Sequence, residues 1–308
     1  MKFSPIIYLI GMLLCILSLF MLVPAVVDWF YGSQNWPAFV GSSISTLFVG
    51  LILFFSNKGS ATEHLELRQA FLLTNSAWIS IALFGSLPFL LSDIDMSFID
   101  AFFESTSGIT TTGATVIENL EAKSHGILIW RALLQWLGGV GIIVMALAVL
   151  PMLSIGGMQL FKTESYETPD KVVPKAASFA AGISIVYITL TVIWAFMLWG
   201  AGMPIFDSIA HAMTTLATGG YSTKSESLAA FNSSMIEIII IFGMLVGSLP
   251  FVHYLALTKN GMKNLIKDDQ VKLFLTLVFF VVLIMSLYLS SNNIPYLEAL
   301  RLASFNVV

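Results

Sequence analysis

Charge is what this 308-residue sequence has least of. Asp, Glu, Lys and Arg together make up 10% of it, against 57% hydrophobic residues, whereas soluble domains carry roughly a quarter charged residues. A soluble core of this size has no room for so much apolar surface, so lipid must act as solvent for much of the chain. Cysteine is nearly absent. Cys15 alone excludes an internal disulfide framework, and its place in an apolar run marks it as a small packing residue. The four histidines, His64, His125, His211 and His253, have no metal-ligand spacing. No basic patch with interleaved aromatics occurs, which sets nucleic acid aside as a partner. His-Glu-x-x-His, Gly-x-Ser-x-Gly and paired acids within spans are also missing, so nothing points to an enzyme.

What the sequence has is length in its apolar runs. A membrane-spanning helix needs about 20 mainly apolar residues, and full-length runs occur at about 6–27, 37–56, 69–91, 126–152, 179–202, 233–257 and 271–291. The first is too long for a signal-peptide core and no small-x-small cleavage site follows it, so it reads as a span. Three apolar pieces, 98–109, 205–216 and 296–308, are too short to cross and have the length of re-entrant segments. Placing the N-terminus in the cytoplasm puts Lys2, Lys58, Arg68, Lys162, Lys171, Lys175, Lys259, Lys263, Lys267 and Lys272 inside, and only Lys123 and Lys224 outside. That is the positive-inside pattern. Asp28, Asp93, Asp95, Asp100, Glu104, Glu118, Glu121, Asp207 and Glu226 then fall on or near the outer face, where an acidic mouth would concentrate cations.

The short pieces repeat. Phe98-Ile99-Asp100 aligns with Ile205-Phe206-Asp207 and with Tyr296-Leu297-Glu298. Asp100 precedes Gly113 by the same distance as Asp207 precedes Gly220. The acids Asp100, Asp207 and Glu298 suit the positive end of a helix, and Pro204 and Pro295 suit its start. Each piece reads as a pore helix entering from outside. The organisation that follows is two leading helices (1–67), a helix–pore loop–helix repeat (68–152), a cytoplasmic linker (153–178), a second repeat (179–258), then a linker and the start of a third repeat (259–308).

After each complete pore helix stands a threonine- and glycine-bearing loop, Thr111-Thr112-Gly113-Ala114 and Thr218-Gly219-Gly220-Tyr221. A cation in a narrow pore has shed its water, and successive backbone carbonyls replace that water in filters of the Thr-Val-Gly-Tyr-Gly kind. Such a run demands backbone angles that favour glycine, and threonine adds a hydroxyl oxygen. Potassium is therefore expected at Thr111, Thr112, Thr218 and Gly219, with no covalent cofactor. A sodium- or proton-coupled secondary carrier built on broken helices is the alternative; it would show paired interrupted spans and an ionisable residue deep in a helix.

Three stretches resemble the transmembrane subunit of Trk-type potassium uptake systems, the TrkH/KtrB/HKT family: Asp100 to Thr115, Trp130 to Gly141 and Leu216 to Thr223. The resemblance implies an all-α polytopic membrane protein with four repeats forming one pseudo-fourfold, potassium-channel-like pore. It implies a homodimer in the bacterial inner membrane and a cytosolic, nucleotide-binding TrkA-like regulatory partner. In plant relatives serine in the place of Gly113 accompanies sodium transport, so glycine there implies potassium. By the spacing of the first two repeats, a third filter glycine would fall at about 311, past Val308. The expectation is a sequence truncated in its third repeat, leaving the pore incomplete.

Arg131, near the outer end of the fourth span with Gln135 one turn deeper, is expected to brace the first filter or to pair with an acid such as Glu104. Gly138, Gly139, Gly141, Gly243 and Gly247 are expected at close helix contacts. Trp29, Trp36, Trp130 and Trp199 are expected as interface anchors, and His211 as a packed, hydrogen-bonded residue of the second pore helix.

Overall fold

A computed structural model describes residues 3–60, 67–153, 172–251, 253–255 and 268–308, with the backbone alone at 60 and 67 and over 142–153 and 172–179. The described residues are helical and loop, with no strand among them. Most of the two linkers, with Lys162, Lys171, Lys259, Lys263 and Lys267, lies outside them, as do Lys2 and His64.

The leading pair is α1 (Ser4–Phe20) running into α2 (Leu22–Phe30), and α3 (Trp36–Ser56). The step between α1 and α2 follows from Pro24, which has no N–H for the Phe20 carbonyl one turn back. The same cause divides the third span into α4 (Leu67–Gly85) and α5 (Leu87–Leu91), since Pro88 leaves the Phe84 carbonyl without its helical donor. α1 and α3 touch through glycines: a Cβ on Gly11 would stand 2.6 Å from the Phe54 nitrogen, and one on Gly50 2.9 Å from Cys15 Sγ. Cys15 is thus the packing residue its surroundings suggested.

The first repeat continues with pore helix α6 (Phe98–Ile109) and α7 (His125–Leu153). The second is α8 (Val172–Gly200), pore helix α9 (Ile205–Leu216) and α10 (Ser234–Ser248). Last come α11 (Asp269–Ser291) and α12 (Tyr296–Val307). Ser97 caps α6: its Oγ accepts from the Asp100 N–H at 3.2 Å and donates to Asp100 Oδ2 at 2.6 Å. Among the described residues, five segments are long and apolar enough to cross a membrane: Ser4–Phe30, Trp36–Ser56, Arg68–Leu91, Ala180–Gly200 and Asp269–Ser291.

The predicted span 233–257 contains a break, with helical residues returning at Phe251. Its helix stops at Ser248 because Leu249, held extended at ψ 148°, precedes Pro250, which disfavours helical geometry in the residue before it. Pro250 cannot donate to the Val246 carbonyl, and the Tyr254 hydroxyl does so instead at 2.8 Å.

Each repeat has its own buried cluster. Leu14, Met21, Phe39, Phe89, Ile127 and Leu134 join the leading pair to the first repeat. Ile183, Tyr187, Leu198, Leu216 and Ile239 fill the second, and Trp136 touches both. Outward-facing residues such as Phe48, Phe196, Phe279 and Leu297 are large and apolar, the surface that a lipid solvent accepts and water does not. Trp29, Trp36 and Trp199 are exposed, but Trp130 is wholly buried. It is no anchor: its indole N–H donates to the Gly85 carbonyl at 3.0 Å.

Three of the acids assigned to an outer mouth are likewise buried and engaged. Asp28 accepts from the Gly126 N–H at 2.5 Å and from Ser124 Oγ at 3.0 Å, so the leading pair supplies the cap at the start of α7. Glu104 and Asp207 lie in the pore helices and bond to the chain beyond the loops that follow them.

Candidate functional site: two filter loops and their brace

Both pore helices end the same way. The Thr111 N–H donates to the Gly108 carbonyl at 3.0 Å and the Thr112 N–H to Ser107 at 2.9 Å; in the second repeat Thr218 donates to Thr215 at 3.0 Å and Gly219 to Thr214 at 2.9 Å. This is the Schellman pattern, which needs a left-handed residue just past the helix and normally places glycine there. Here threonine occupies that position twice, at φ 55° in both Thr111 and Thr218. A β-branched residue in this region is strained, at a cost of about 1–3 kcal/mol. Two residues on, Gly113 and Gly220 have φ 82° and 76°, while the residues between, Thr112 and Gly219, are not left-handed. The predicted loop residues therefore share one backbone trace in the two repeats.

The loops also meet. A Cβ on Gly113 would lie 2.1 Å from the Gly219 carbonyl oxygen, so that oxygen aims at the first loop and only glycine leaves it room. Gly138 lets α7 approach equally closely, since its Cβ would be 2.0 Å from the Ile109 carbonyl oxygen, and Gly247 does the same against Leu216 at 2.9 Å. Gly139 and Gly243 also sit at tight contacts, whereas a Cβ on Gly141, grouped with them in the sequence, would meet nothing within 4 Å among the described residues.

Behind the loops lies a buried polar network. Arg131 Nε donates to Glu104 Oε1 at 2.7 Å, and its Nη1 donates to the Ser222 carbonyl at 2.8 Å. Its guanidinium stands 4.1 Å over the Tyr221 ring, a cation–π contact. Glu104 accepts from Thr115 Oγ1 at 2.9 Å and from the Val116 N–H at 3.0 Å. Arg131 thus pairs with Glu104, and the pair reaches the chain just past each loop. The Tyr221 hydroxyl crosses between repeats, donating to the carbonyls of Glu104 at 2.9 Å and Ala114 at 3.2 Å. Ser107 Oγ donates to Ala114 as well, at 2.6 Å.

The repeat extends to a correspondence that the sequence alignment of the two units does not include. Glu104 and His211 each stand four places after the pore-helix acid, and each engages the residue two past the loop glycine. His211 Nε2 lies 3.0 Å from Ser222 Oγ, its Nδ1 2.8 Å from the Asp207 carbonyl. The shared offset was the available signal; the differing residue types hid it. Asp207 accepts from Thr223 Oγ1 at 2.6 Å, so this acid holds the loop exit, while Asp100 serves only its helix start. Glu298 lies in the first turn of α12, and Arg301 of that helix pairs with Glu237 of α10 at 3.1 Å.

Outside the loops, Glu121 accepts from the Ser225 N–H at 2.7 Å and from Ser225 Oγ at 2.6 Å, tying the two repeats. Those bonds hold its carboxyl down at about 2. A lowered pKa means that the tie is fully present above the ordinary glutamate value of 4.5 and is lost as pH falls towards 2.

Residues 35–301 match the TrkH family of cation transport proteins. The chain is 36% identical to the Trk system potassium uptake protein TrkI of Halomonas elongata and 37% identical to TrkH of Salmonella typhimurium, each match covering the whole chain. It spans 62% and 65% of those relatives' lengths. The crystal structure of the potassium transporter TrkH from Vibrio parahaemolyticus superposes with a TM-score of 0.91 at 35% identity, over all of this chain and 64% of that one. Matched pore helices, matched loops and likeness along the full chain have one explanation: this chain belongs to the TrkH family of cation transport proteins.

Proposed function

We propose that the chain forms part of a potassium-uptake pore in a bacterial inner membrane, with Thr111–Ala114 and Thr218–Tyr221 as two of the filter segments around one pseudo-fourfold axis. The observation that carries this is the repeated backbone: left-handed threonine, then left-handed glycine, behind each pore helix. Alternating handedness turns successive peptide carbonyls to one side, the arrangement that replaces a cation's hydration. The C-terminal end of each pore helix adds negative potential beneath it. Potassium is held by oxygens of Thr111, Thr112, Thr218 and Gly219. The relatives named for potassium uptake support the choice of ion over sodium. A proton- or sodium-coupled carrier is the weaker reading, since the network of Arg131 and Glu104 is closed on itself and spans the loops rather than a moving midplane site.

The N-terminus lies in the cytoplasm, the protein pairs as a homodimer, and a cytosolic nucleotide-binding subunit of the TrkA kind regulates it. Rubidium uptake by potassium-uptake-deficient cells expressing the full-length protein tests the reading. Uptake blocked competitively by potassium and little by sodium is expected; equal competition by sodium contradicts it.

The strained threonines make a prediction of opposite signs. Thr218→Gly relieves the left-handed strain and is expected to stabilise the protein by about 1 kcal/mol, seen as a higher melting temperature. The same change removes a hydroxyl oxygen from the filter and lowers the preference for potassium over sodium. A variant more stable and equally selective would show that the Thr218 hydroxyl is no ligand.

A further inference from the structure

Gln135 is wholly buried, one turn below Arg131 on α7. Its Oε1 accepts from the Tyr221 N–H at 3.0 Å. That bond fixes the carboxamide, because reversing it would set two donors face to face. Its Nε2 has no hydrogen-bond partner among the described residues, an uncommon state for a buried donor. The carboxamide lies flat against Gly219: a Cβ there would meet Cδ at 2.4 Å, Oε1 at 2.5 Å and Nε2 at 2.6 Å. Nε2 is also the nearest side-chain atom to a Cβ on Gly113, at 3.7 Å. One side chain therefore stands behind both loops at the point where the Gly219 carbonyl meets Gly113.

Helix packing alone does not call for an amide here. Gly138 and Gly247 occupy equivalent places, each against the last carbonyl of its own pore helix. Three residues before Gly247 stands Met244 where the first repeat has Gln135. The second repeat fills the same position with an apolar chain of similar length.

We infer that Gln135 is a positioning residue that sets the separation of the two filter strands and so decides which monovalent cation fits between them. Oε1 anchors the second strand through Tyr221, and the body of the amide wedges Gly219 toward Gly113. A change at Gln135 moves the carbonyl that faces the first loop. The inference rests on the reading that these loops select a cation.

The test is a double-mutant cycle in the full-length protein reconstituted in vesicles, read as the ratio of potassium to sodium uptake. Gly219→Ala is expected to lower that ratio roughly tenfold, because its Cβ strikes the carboxamide, and to have an effect of no more than about twofold once Gln135→Ala has removed the obstacle. Equal losses in both backgrounds overturn the inference. Gln135→Met, which copies Met244, forms an independent arm that involves no new Cβ in the loop. Its expected result is a ratio reduced roughly tenfold with an unchanged melting temperature in ion-free buffer; a wild-type ratio overturns the inference. A wild-type protein with no preference between the two cations overturns the pore reading, and this inference with it, whereas a selective wild type with additive variants overturns this inference alone.

Discussion

Gly113→Ser is expected to cut potassium uptake by at least tenfold and to erase most of the preference over sodium. Two independent costs fall on one residue. An L-side chain at φ 82° is strained by about 1–3 kcal/mol, and every 1.4 kcal/mol or so is a factor of ten in an equilibrium. The second cost is a collision: the new Cβ would sit 2.1 Å from the Gly219 carbonyl oxygen, far inside van der Waals contact. That oxygen belongs to backbone and cannot rotate away as a side chain would. Relief requires the second loop to withdraw, which widens the gap between the two strands. Competition of sodium against rubidium uptake measures the consequence. Unaltered selectivity in Gly113→Ser would mean that the two loops do not jointly bound the ion path.

Arg131→Gln is expected to have the other large effect, on stability as well as transport. Arg131 and Glu104 are 1% and 0% exposed. Removing one member of a buried pair leaves the other charge without compensation, at a cost of about 3–5 kcal/mol. Glu104 would keep Thr115 and Val116 as donors but lose its cation, and the Ser222 carbonyl would lose its guanidinium donor. Both loop exits loosen together. The measurements are the melting temperature in detergent and uptake by the full-length protein; a sharp fall in the first and at least a tenfold fall in the second are expected. Replacing Arg131 and Glu104 together with Met and Gln should recover much of the stability, as paired replacement usually does, without recovering selectivity. Normal uptake in Arg131→Gln would remove the brace from the account.

How far this was legible in the sequence depends on how local each feature is. The pore helices were legible to the residue, Phe98–Ile109 and Ile205–Leu216, because an acid near the start and a glycine beyond the end are local signals that recur. The matched backbone of the two glycine-bearing loops is legible for the same reason. The left-handed threonines were not, since propensity puts glycine at that position and tertiary packing overrode it. The wedge of Gln135 behind Gly219 and the reach of Arg131 to Ser222 join residues far apart in sequence, and no spacing rule announces them. Burial misled in a consistent direction. Residue type places Trp130, Asp28 and Asp207 at the surface, yet each is buried with its polar atoms bonded inside. The break in the sixth span follows from Pro250, which stands within an otherwise continuous apolar run.

The most direct test of the central claim is anomalous X-ray scattering from crystals of the full-length protein grown in rubidium. The account predicts rubidium peaks ringed by oxygens of Thr111, Thr112, Thr218 and Gly219. Peaks only elsewhere, with the carbonyls of those four residues turned into packing, would contradict it.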